Sequence, residues 1–219
     1  MKTVVYGATR NIYKNLVPCV RSLMKNGNVD EIIYLLEDDE VPFALPGRAI
    51  NVSHQKWFDP KGANASKRWT YMTMMKCCLT KLLPDHERVL FLDCDTIVHH
   101  DLSMLFEINM TGKWYGLVPQ TGDGRDGRFT KGNYYNCGVL LANLKEVNED
   151  ILIKALQTKD YEFPEQDCIN ELCQDKILPL QGRWNTSEFT VKDTWVYIRH
   201  YAANREWYKR AEVQIYGEL

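Results

Sequence analysis

The sequence predicts an α/β fold in which a mostly parallel β-sheet is flanked by helices. Short apolar runs typical of buried strands alternate along the chain with stretches whose apolar residues recur at helical spacing. Alternation of this kind is typical of parallel sheets that are covered on both faces. The chain has 219 residues, of which 45% are hydrophobic and 26% charged, and no stretch has the composition of a linker. We therefore expect a single domain over residues 1–219.

The first half of the chain contains four predicted strands and two predicted helices. The strands are the apolar runs Thr3 to Gly7 (TVVYG), Glu31 to Leu36 (EIIYLL), Ala49 to Val52 and Arg88 to Leu92 (RVLFL). Helical spacing of apolar residues predicts helices over Leu16 to Met24 and over Met72 to Leu83. Pro84 is expected to end the second of these helices.

The second half continues the alternation. Lys113 to Val118 and Tyr134 to Ala142 are predicted strands, and Ile151 to Ala155 and Glu165 to Leu172 are predicted helical stretches. Gly122 to Lys131 (GDGRDGRFTK) is rich in glycine and charge, so it is the best candidate for a mobile loop.

Composition excludes several classes of protein. The net charge is −2, from 27 basic and 29 acidic residues, which argues against a nucleic-acid partner. No apolar run approaches the roughly 18 residues of a membrane helix, and the apolar N-terminal stretch is too short for a signal peptide. The seven cysteines include no pair of CxxC motifs, so we expect free thiols in a reducing cytoplasm.

Two carboxylates, Asp93 and Asp95, directly follow the predicted strand Arg88 to Leu92. Ligands of open α/β sheets bind beyond the carboxyl ends of strands. Two carboxylates repel each other there unless a cation neutralises them, and their oxygens suit Mn²⁺ or Mg²⁺. These ions usually complete their coordination with phosphates and water, so the pair points to a diphosphate substrate. The simpler interpretation is a pair of solvated turn residues or caps.

The stretch VLFLDCDTIVHHDLSMLF resembles the DxD region of family 8 of the retaining glycosyltransferases, the glycogenin and lipopolysaccharide galactosyltransferase group. Six further blocks agree with that family in the same order. They are ATRNIY (8–13), Lys76, NCGVLLANL (136–144), EQD (165–167) with Asn170, LP (178–179) with RWN (183–185), and RHY (199–201). The blocks extend over nearly the whole chain, so the resemblance implies a GT-A (Rossmann-like) fold for all of it.

The resemblance further implies a hexosyltransferase whose donor is a UDP-sugar, UDP-glucose or UDP-galactose. The residues implied to bind the donor are Ala8, Thr9, Asn11, Tyr13, Lys76, Cys94, Asn136, Gly138 and Arg205. Tyr13 matches an aromatic residue that stacks on uracil, and Arg205 replaces a family lysine as the diphosphate contact. Asn136 and Gly138 also suit a close approach to sugar hydroxyls, although a bulged buried strand explains them equally well.

The implied metal ligands are Asp93, Asp95 and His200, and the imidazole favours Mn²⁺ over Mg²⁺. The implied catalytic residues are Gln166 near the anomeric carbon, Asp167 on the sugar hydroxyls, and Lys76 beside the departing diphosphate. Glutamine is a poor nucleophile, so we expect transfer on the front face of the sugar. Without the resemblance, acidic residues at a helix start and a lone histidine are more often structural.

Three alternative functions remain open. A haloacid-dehalogenase-type phosphatase also places DxD after a strand, ordinarily the first one, and a sugar-phosphate nucleotidyltransferase has a similar sheet but a glycine-rich basic loop. The third alternative is a catalytically silent protein that only binds a nucleotide sugar. For the transferase, the acceptor is unknown: a glycan, a lipid-linked saccharide and a protein all fit.

Overall fold

The computed structural model describes residues 1–59, 61–64, 70–121 and 132–217. Its centre is a seven-stranded sheet in the order β3-β2-β1-β4-β7-β6-β8. These strands are β1 (Thr3–Gly7), β2 (Glu31–Leu36), β3 (Arg48–Asn51), β4 (Arg88–Leu92), β6 (Tyr115–Pro119), β7 (Tyr135–Asn143) and β8 (Ile177–Pro179). Strands β3, β2, β1 and β4 run parallel, as do β6 and β8, whereas β7 is antiparallel to β4 and β6. The prediction of a mostly parallel α/β sheet is confirmed.

A second, two-stranded sheet joins distant parts of the chain. Strand β5 (Thr96–Val98) pairs antiparallel with β9 (Ile198–His200), and the register places Thr96 opposite His200. Tyr201 N–H also donates to the Asp95 carbonyl oxygen at 2.9 Å. The short sheet therefore anchors the C-terminal segment beside the residues that follow β4.

Helices cover both faces of the large sheet. They are α1 (Leu16–Asn26), α2 (Tyr71–Met74), α3 (Leu79–Leu82), α4 (Ser103–Phe106), α5 (Glu149–Thr158), α6 (Pro164–Leu172) and α7 (Ala211–Gln214). Side chains alternate across a strand, so Val4 and Tyr6 pack with α1 while Val5 belongs to the opposite core, which includes α5 and α6. None of the described helices is long and apolar enough to cross a membrane.

Most predicted elements are present, with instructive differences. The continuous helix predicted over Met72 to Leu83 is wrong, because a 3₁₀ turn (Met75–Cys77) and non-helical backbone at Cys78 (φ −128°, ψ 17°) divide it into α2 and α3. Strands β5, β8 and β9 have three residues each, too few for a periodic pattern to predict them. The predicted mobile loop, 122–131, lies outside the described residues.

Candidate metal and donor site

A cavity of about 650 Å³ opens where β1 and β4 end and β7 begins. That volume lies within the range of ligand pockets, roughly 300–1,000 Å³. Its lining includes nine of the predicted site residues from six segments of the chain: Thr9, Asn11, Lys76, Cys94, Asn136, Gly138, Gln166, His200 and Arg205. The predicted metal ligands Asp93 and Asp95 line it as well.

Asp93, Asp95 and His200 converge in the cavity, and we call them the acidic–histidine cluster. Their ligand atoms all lie within 4.8 Å of one another. His200 Nε2 is 3.2 Å from Asp95 Oδ1 and 3.9 Å from Asp93 Oδ2. The two aspartates follow β4, whereas His200 is the last residue of β9, so the pairing of β5 with β9 brings the three side chains together.

The cluster places two carboxylates beside one imidazole. Burial alone lowers the pKa of His200, but the carboxylates of Asp95 and Asp93 outweigh burial and raise it above the usual value. Asp95 Oδ1 is buried and has no hydrogen-bond partner of suitable geometry among the described residues. An unsatisfied buried carboxylate oxygen is unfavourable, and a cation beside it would remove that cost. Two carboxylates and one imidazole are a donor set that suits Mn²⁺, so the residues present fit a divalent metal ion.

Lys76 links this cluster to the start of α6. Its side chain is 2% exposed, and Nζ lies 2.7 Å from Asp93 Oδ1 and 3.1 Å from Glu165 Oε1. Burial lowers the pKa of Lys76, but Asp93 and Glu165 outweigh burial and raise it, so the ammonium stays charged. Lys76 thus holds two carboxylates in fixed positions while it lines the cavity.

Glu165, Gln166 and Asp167 form the first turn of α6, and we call them the α6 cluster. Gln166 lines the cavity. Its Oε1 accepts a hydrogen bond from the Cys137 N–H at 3.0 Å, and its Nε2 donates to the Tyr134 hydroxyl at 3.0 Å. These bonds orient the amide, so Gln166 is held rigidly where the resemblance implies the anomeric carbon.

Asp167 has a different position from the one expected for a sugar contact. It is fully buried and is not among the described residues that line the cavity. Its Oδ2 accepts hydrogen bonds from the Glu162 and Phe163 N–H groups at 3.1 and 3.0 Å, and its Oδ1 accepts one from the Tyr134 hydroxyl at 2.5 Å. These contacts make Asp167 a cap that stabilises the N-terminus of α6.

The turn after β1 presents some of its predicted residues to the cavity and buries others. Thr9 and Asn11 line the cavity and are joined by a 2.6 Å hydrogen bond, whereas Ala8 is fully buried. Tyr13 is 9% exposed, its hydroxyl accepts a 2.8 Å hydrogen bond from the Glu37 N–H, and Ile12 lines the cavity instead. Successive side chains of a 3₁₀ helix point about 120° apart, which explains why Ile12 faces the cavity and the adjacent Tyr13 does not.

Two further predicted donor-binding residues, Gly138 and Cys94, make close contacts within the protein. A Cβ added at Gly138 would lie 2.0 Å from His200 Cε1, so glycine is needed there to admit the imidazole. Cys94 Sγ contacts the Gly7 carbonyl oxygen at 3.2 Å, and burial raises the pKa of its thiol well above the usual value. Arg205 is exposed at the mouth of the cavity, close to Ala203, whose backbone is left-handed (φ 61°).

Comparison of the sequence with protein-family models identifies the family. The model of glycosyl transferase family 8 matches residues 47–203. The chain belongs to glycosyl transferase family 8. It is 28% identical over 119 residues to lipopolysaccharide 1,2-glucosyltransferase of Escherichia coli K12, an alignment that covers 48% of this chain and 35% of that protein. It is 21% identical over 170 residues to general stress protein A of Bacillus subtilis 168, covering 71% and 58%. The chain thus spans less than two thirds of these curated relatives.

Solved structures of a galactosyltransferase share the fold. Galactosyltransferase LgtC in complex with donor and acceptor sugar analogs superposes with a TM-score of 0.71 at 18% identity, over 92% of this chain and 87% of that one. An active-site mutant of LgtC gives 0.76 at 18% identity, over 98% and 93%. These likenesses confirm the GT-A fold that the sequence predicts.

Four residues of this family 8 site were not among the predicted site residues. Glu165 pairs with Lys76 and lines the cavity, yet its position at a helix start resembles an ordinary capping residue. Ile12 is one residue away from the predicted aromatic contact. Asn185, in the RWN block, contacts His200 Nδ1 at 3.0 Å, and Gln120, at the end of a predicted acceptor-binding segment (Trp114 to Gln120), lines the cavity.

Proposed function

We propose that the protein transfers a hexose from a UDP-sugar, UDP-glucose or UDP-galactose, to a saccharide-bearing or protein acceptor with retention of configuration and with Mn²⁺. The observation that carries the proposal is the acidic–histidine cluster, with its unsatisfied Asp95 Oδ1, at the floor of a nucleotide-sized cavity. The names of its relatives support the same reaction class: one is a glucosyltransferase, and LgtC is a galactosyltransferase solved with donor and acceptor sugar analogs.

In this proposal the donor lies across the cavity, and each part of the donor contacts a different group of lining residues. We place the base and ribose against Thr9, Asn11 and Ile12 after β1, where backbone and short polar groups line the cavity. The diphosphate would lie at Asp93, Asp95 and His200, with Arg205 above it at the mouth. The sugar would then reach Gln166 and Glu165 at the start of α6. Base stacking by Tyr13 and sugar contact by Asp167 stay predictions, since both side chains are buried beneath this surface.

A bound divalent metal would be held by Asp93, Asp95 and His200, and it would supply positive charge to a departing diphosphate. Lys76 adds a second, permanent positive charge at the same floor. Glu165 is a poor candidate for a nucleophile because it is tied to that ammonium at 3.1 Å, and Gln166 lacks nucleophilic character. We therefore favour a front-face reaction. The bond from the anomeric carbon to the diphosphate breaks, the acceptor oxygen bonds to the same face, and its proton passes to the diphosphate.

Two aromatic residues support a proposed position for the acceptor. Phe163 and Phe189 are half-buried and line the cavity together with Gln120 and Gln166. Flat aromatic rings pack well against the apolar faces of sugars, so we place a saccharide acceptor on this side. A glycan and a lipid-linked saccharide both fit this assignment, and a protein acceptor would have to present a flexible side chain.

The experiment is a panel of UDP-sugars incubated with Mn²⁺ and scored for UDP release without an acceptor. We expect slow release from UDP-glucose or UDP-galactose that EDTA abolishes, and no release by Asp95→Ala. Removal of one carboxylate deletes a metal ligand but leaves the fold, because Asp95 is a partly exposed residue beyond β4.

The other outcomes identify the alternatives. Tight UDP-sugar binding without release in any condition would indicate a silent binding protein. Phosphate release from phosphomonoesters would indicate a phosphatase, and UDP release that is equal with and without EDTA would contradict the metal-dependent reaction.

We also propose a reducing compartment such as the cytoplasm, because all seven cysteines are buried free thiols.

A further inference from the structure

A chain of buried hydrogen bonds runs from the backbone of β7 to the imidazole of His200. Gly138 N–H donates to Asn136 Oδ1 at 2.9 Å, and Asn185 Nδ2 donates to the same oxygen at 2.8 Å. Asn185 Oδ1 then faces His200 Nδ1 at 3.0 Å. Asn136, Asn185 and His200 are 7%, 0% and 4% exposed, so water has little access to compete for these bonds. We call this chain the amide relay.

The direction of every bond in the amide relay follows from its first member. A backbone N–H can only donate, so the atom of Asn136 that faces Gly138 must be the carbonyl oxygen. The group of Asn185 that approaches this oxygen must then be its NH₂, which leaves the Asn185 oxygen toward His200. An amide oxygen only accepts, so His200 Nδ1 must carry a proton. The fixed backbone thereby determines which ring nitrogen is protonated.

We propose that Asn136 and Asn185 are positioning residues that hold His200 in the Nδ1–H tautomer, with the lone pair of Nε2 directed at Asp93 and Asp95. In the other neutral tautomer, the lone pair of Nδ1 would face the Asn185 oxygen inside the protein, and that contact is repulsive. In the proposed tautomer the Nε2 lone pair faces Asp95 Oδ1 at 3.2 Å, and a cation held between them would turn that repulsion into attraction. A metal-binding histidine needs its coordinating nitrogen unprotonated, and the hydrogen bond of the other nitrogen selects that state. The inference rests on the metal site of the proposed function.

Gly138 contributes sterically to the same arrangement. It begins the amide relay with its N–H, and its missing Cβ leaves the space that the His200 ring occupies. Asn185 is fully buried and is not among the described residues that line the cavity, so it is not placed to touch a donor. Any effect of Asn185 on a bound metal or nucleotide must therefore pass through its hydrogen-bond partners, chiefly His200 and Asn136.

The test measures the tautomer directly and needs no turnover. Protein labelled with ¹⁵N-histidine is studied with diamagnetic Zn²⁺ bound, by long-range ¹H–¹⁵N correlation, and His200 is assigned by its absence in His200→Gln. We expect the Nδ1–H pattern in the wild type. In Asn185→Leu, which keeps the branched shape of the side chain, we expect a shift toward Nε2–H and Mn²⁺ binding weakened roughly 10- to 100-fold, measured by electron paramagnetic resonance of free Mn²⁺.

Two variants separate the amide relay from general stability. Asn136→Asp keeps an oxygen for both donors and should retain the Nδ1–H tautomer. Asn143→Leu removes a buried amide at the far end of β7, where it donates to Met110 and Lys113 carbonyl oxygens, and should leave the tautomer and Mn²⁺ affinity unchanged.

Several results would overturn the inference. An Nε2–H pattern in the wild type does so without any variant, even if Asn185→Leu fails to fold. A folded Asn185→Leu with unchanged tautomer and Mn²⁺ affinity does so as well. Failure of the wild type to bind Mn²⁺ overturns the metal site that both proposals share, whereas normal Mn²⁺ binding without UDP release overturns only the proposed function.

Discussion

The acidic–histidine cluster and the α6 cluster both contact Lys76 but differ in how far their polar groups satisfy each other. In the acidic–histidine cluster, Asp95 Oδ1 is buried without a suitable partner among the described residues. In the α6 cluster, Gln166 and Asp167 are each held by hydrogen bonds to backbone groups and to Tyr134. The first cluster leaves an acceptor atom that a bound cation would satisfy, whereas the hydrogen bonds of Gln166 and Asp167 in the second form without any ligand.

Lys76 contacts both clusters, so its removal should have the largest effect and is the strongest test of the link between them. Lys76→Met leaves the carboxylates of Asp93 and Glu165 without their shared cation. Loss of one partner of a buried ion pair costs about 3–5 kcal/mol of unfolding free energy, and we expect the lower end because Asp93 remains partly exposed. Mn²⁺ should restore part of the loss, since it returns positive charge to Asp93 but not to Glu165.

Urea unfolding with EDTA and with Mn²⁺ measures both effects. The matched control is Lys81→Met, which removes a largely exposed pair with Asp150 and should cost at most about 1 kcal/mol. An Mn²⁺-induced gain in stability that is the same in wild type and Lys76→Met would contradict the link between the two clusters.

Asp167 sharpens the comparison because its two interpretations predict different losses. As a cap of α6, Asp167→Ala removes one acceptor from the Phe163 N–H and one from the Tyr134 hydroxyl, and the loss of these hydrogen bonds costs about 1–3 kcal/mol of unfolding free energy. Affinity for UDP and Mn²⁺ should not change. As a sugar contact, the same variant would instead lose turnover at unchanged stability.

Thermal unfolding and calorimetry with UDP distinguish the two results. Asp175→Ala serves as a control because that carboxylate is 81% exposed in the same region of the chain. Asp167→Asn, which keeps one acceptor oxygen, should lie between the wild type and Asp167→Ala in stability.

The smallest expected effect concerns the turn after β1. Ile12 lines the cavity, so Ile12→Ala should weaken UDP binding by about 1–2 kcal/mol through lost apolar contact.

Tyr13→Phe should leave UDP affinity unchanged and cost about 1 kcal/mol of stability, because it removes the acceptor of the Glu37 N–H. Calorimetric titration with UDP measures both. If Tyr13→Ala weakens UDP binding as much as aromatic–base stacking requires, about 1–3 kcal/mol, while Ile12→Ala does not, the ring stacks on the base after all.

Local patterns in the chain were sufficient for the architecture and for two of the three candidate metal ligands. Apolar runs report which segments are buried, so β1, β2, β4 and β7 were predictable, as was the placement of Asp93 and Asp95 at a strand end. His200 was predicted only through its resemblance to a family motif, because a lone histidine in sequence carries no sign of its distant partners.

The sequence by itself determined that a parallel α/β sheet forms and that two carboxylates stand at the end of β4, since both follow from short-range periodicity. Tertiary structure alone decided that β9 pairs with β5, that Lys76 binds Asp93 and Glu165, that Ile12 rather than Tyr13 faces the cavity, and that Asn185 orients His200. These contacts depend on packing geometry between segments distant in sequence. A hydrogen bond or ion pair requires positions within about 3 Å, and periodicity reports only which face of an element is buried.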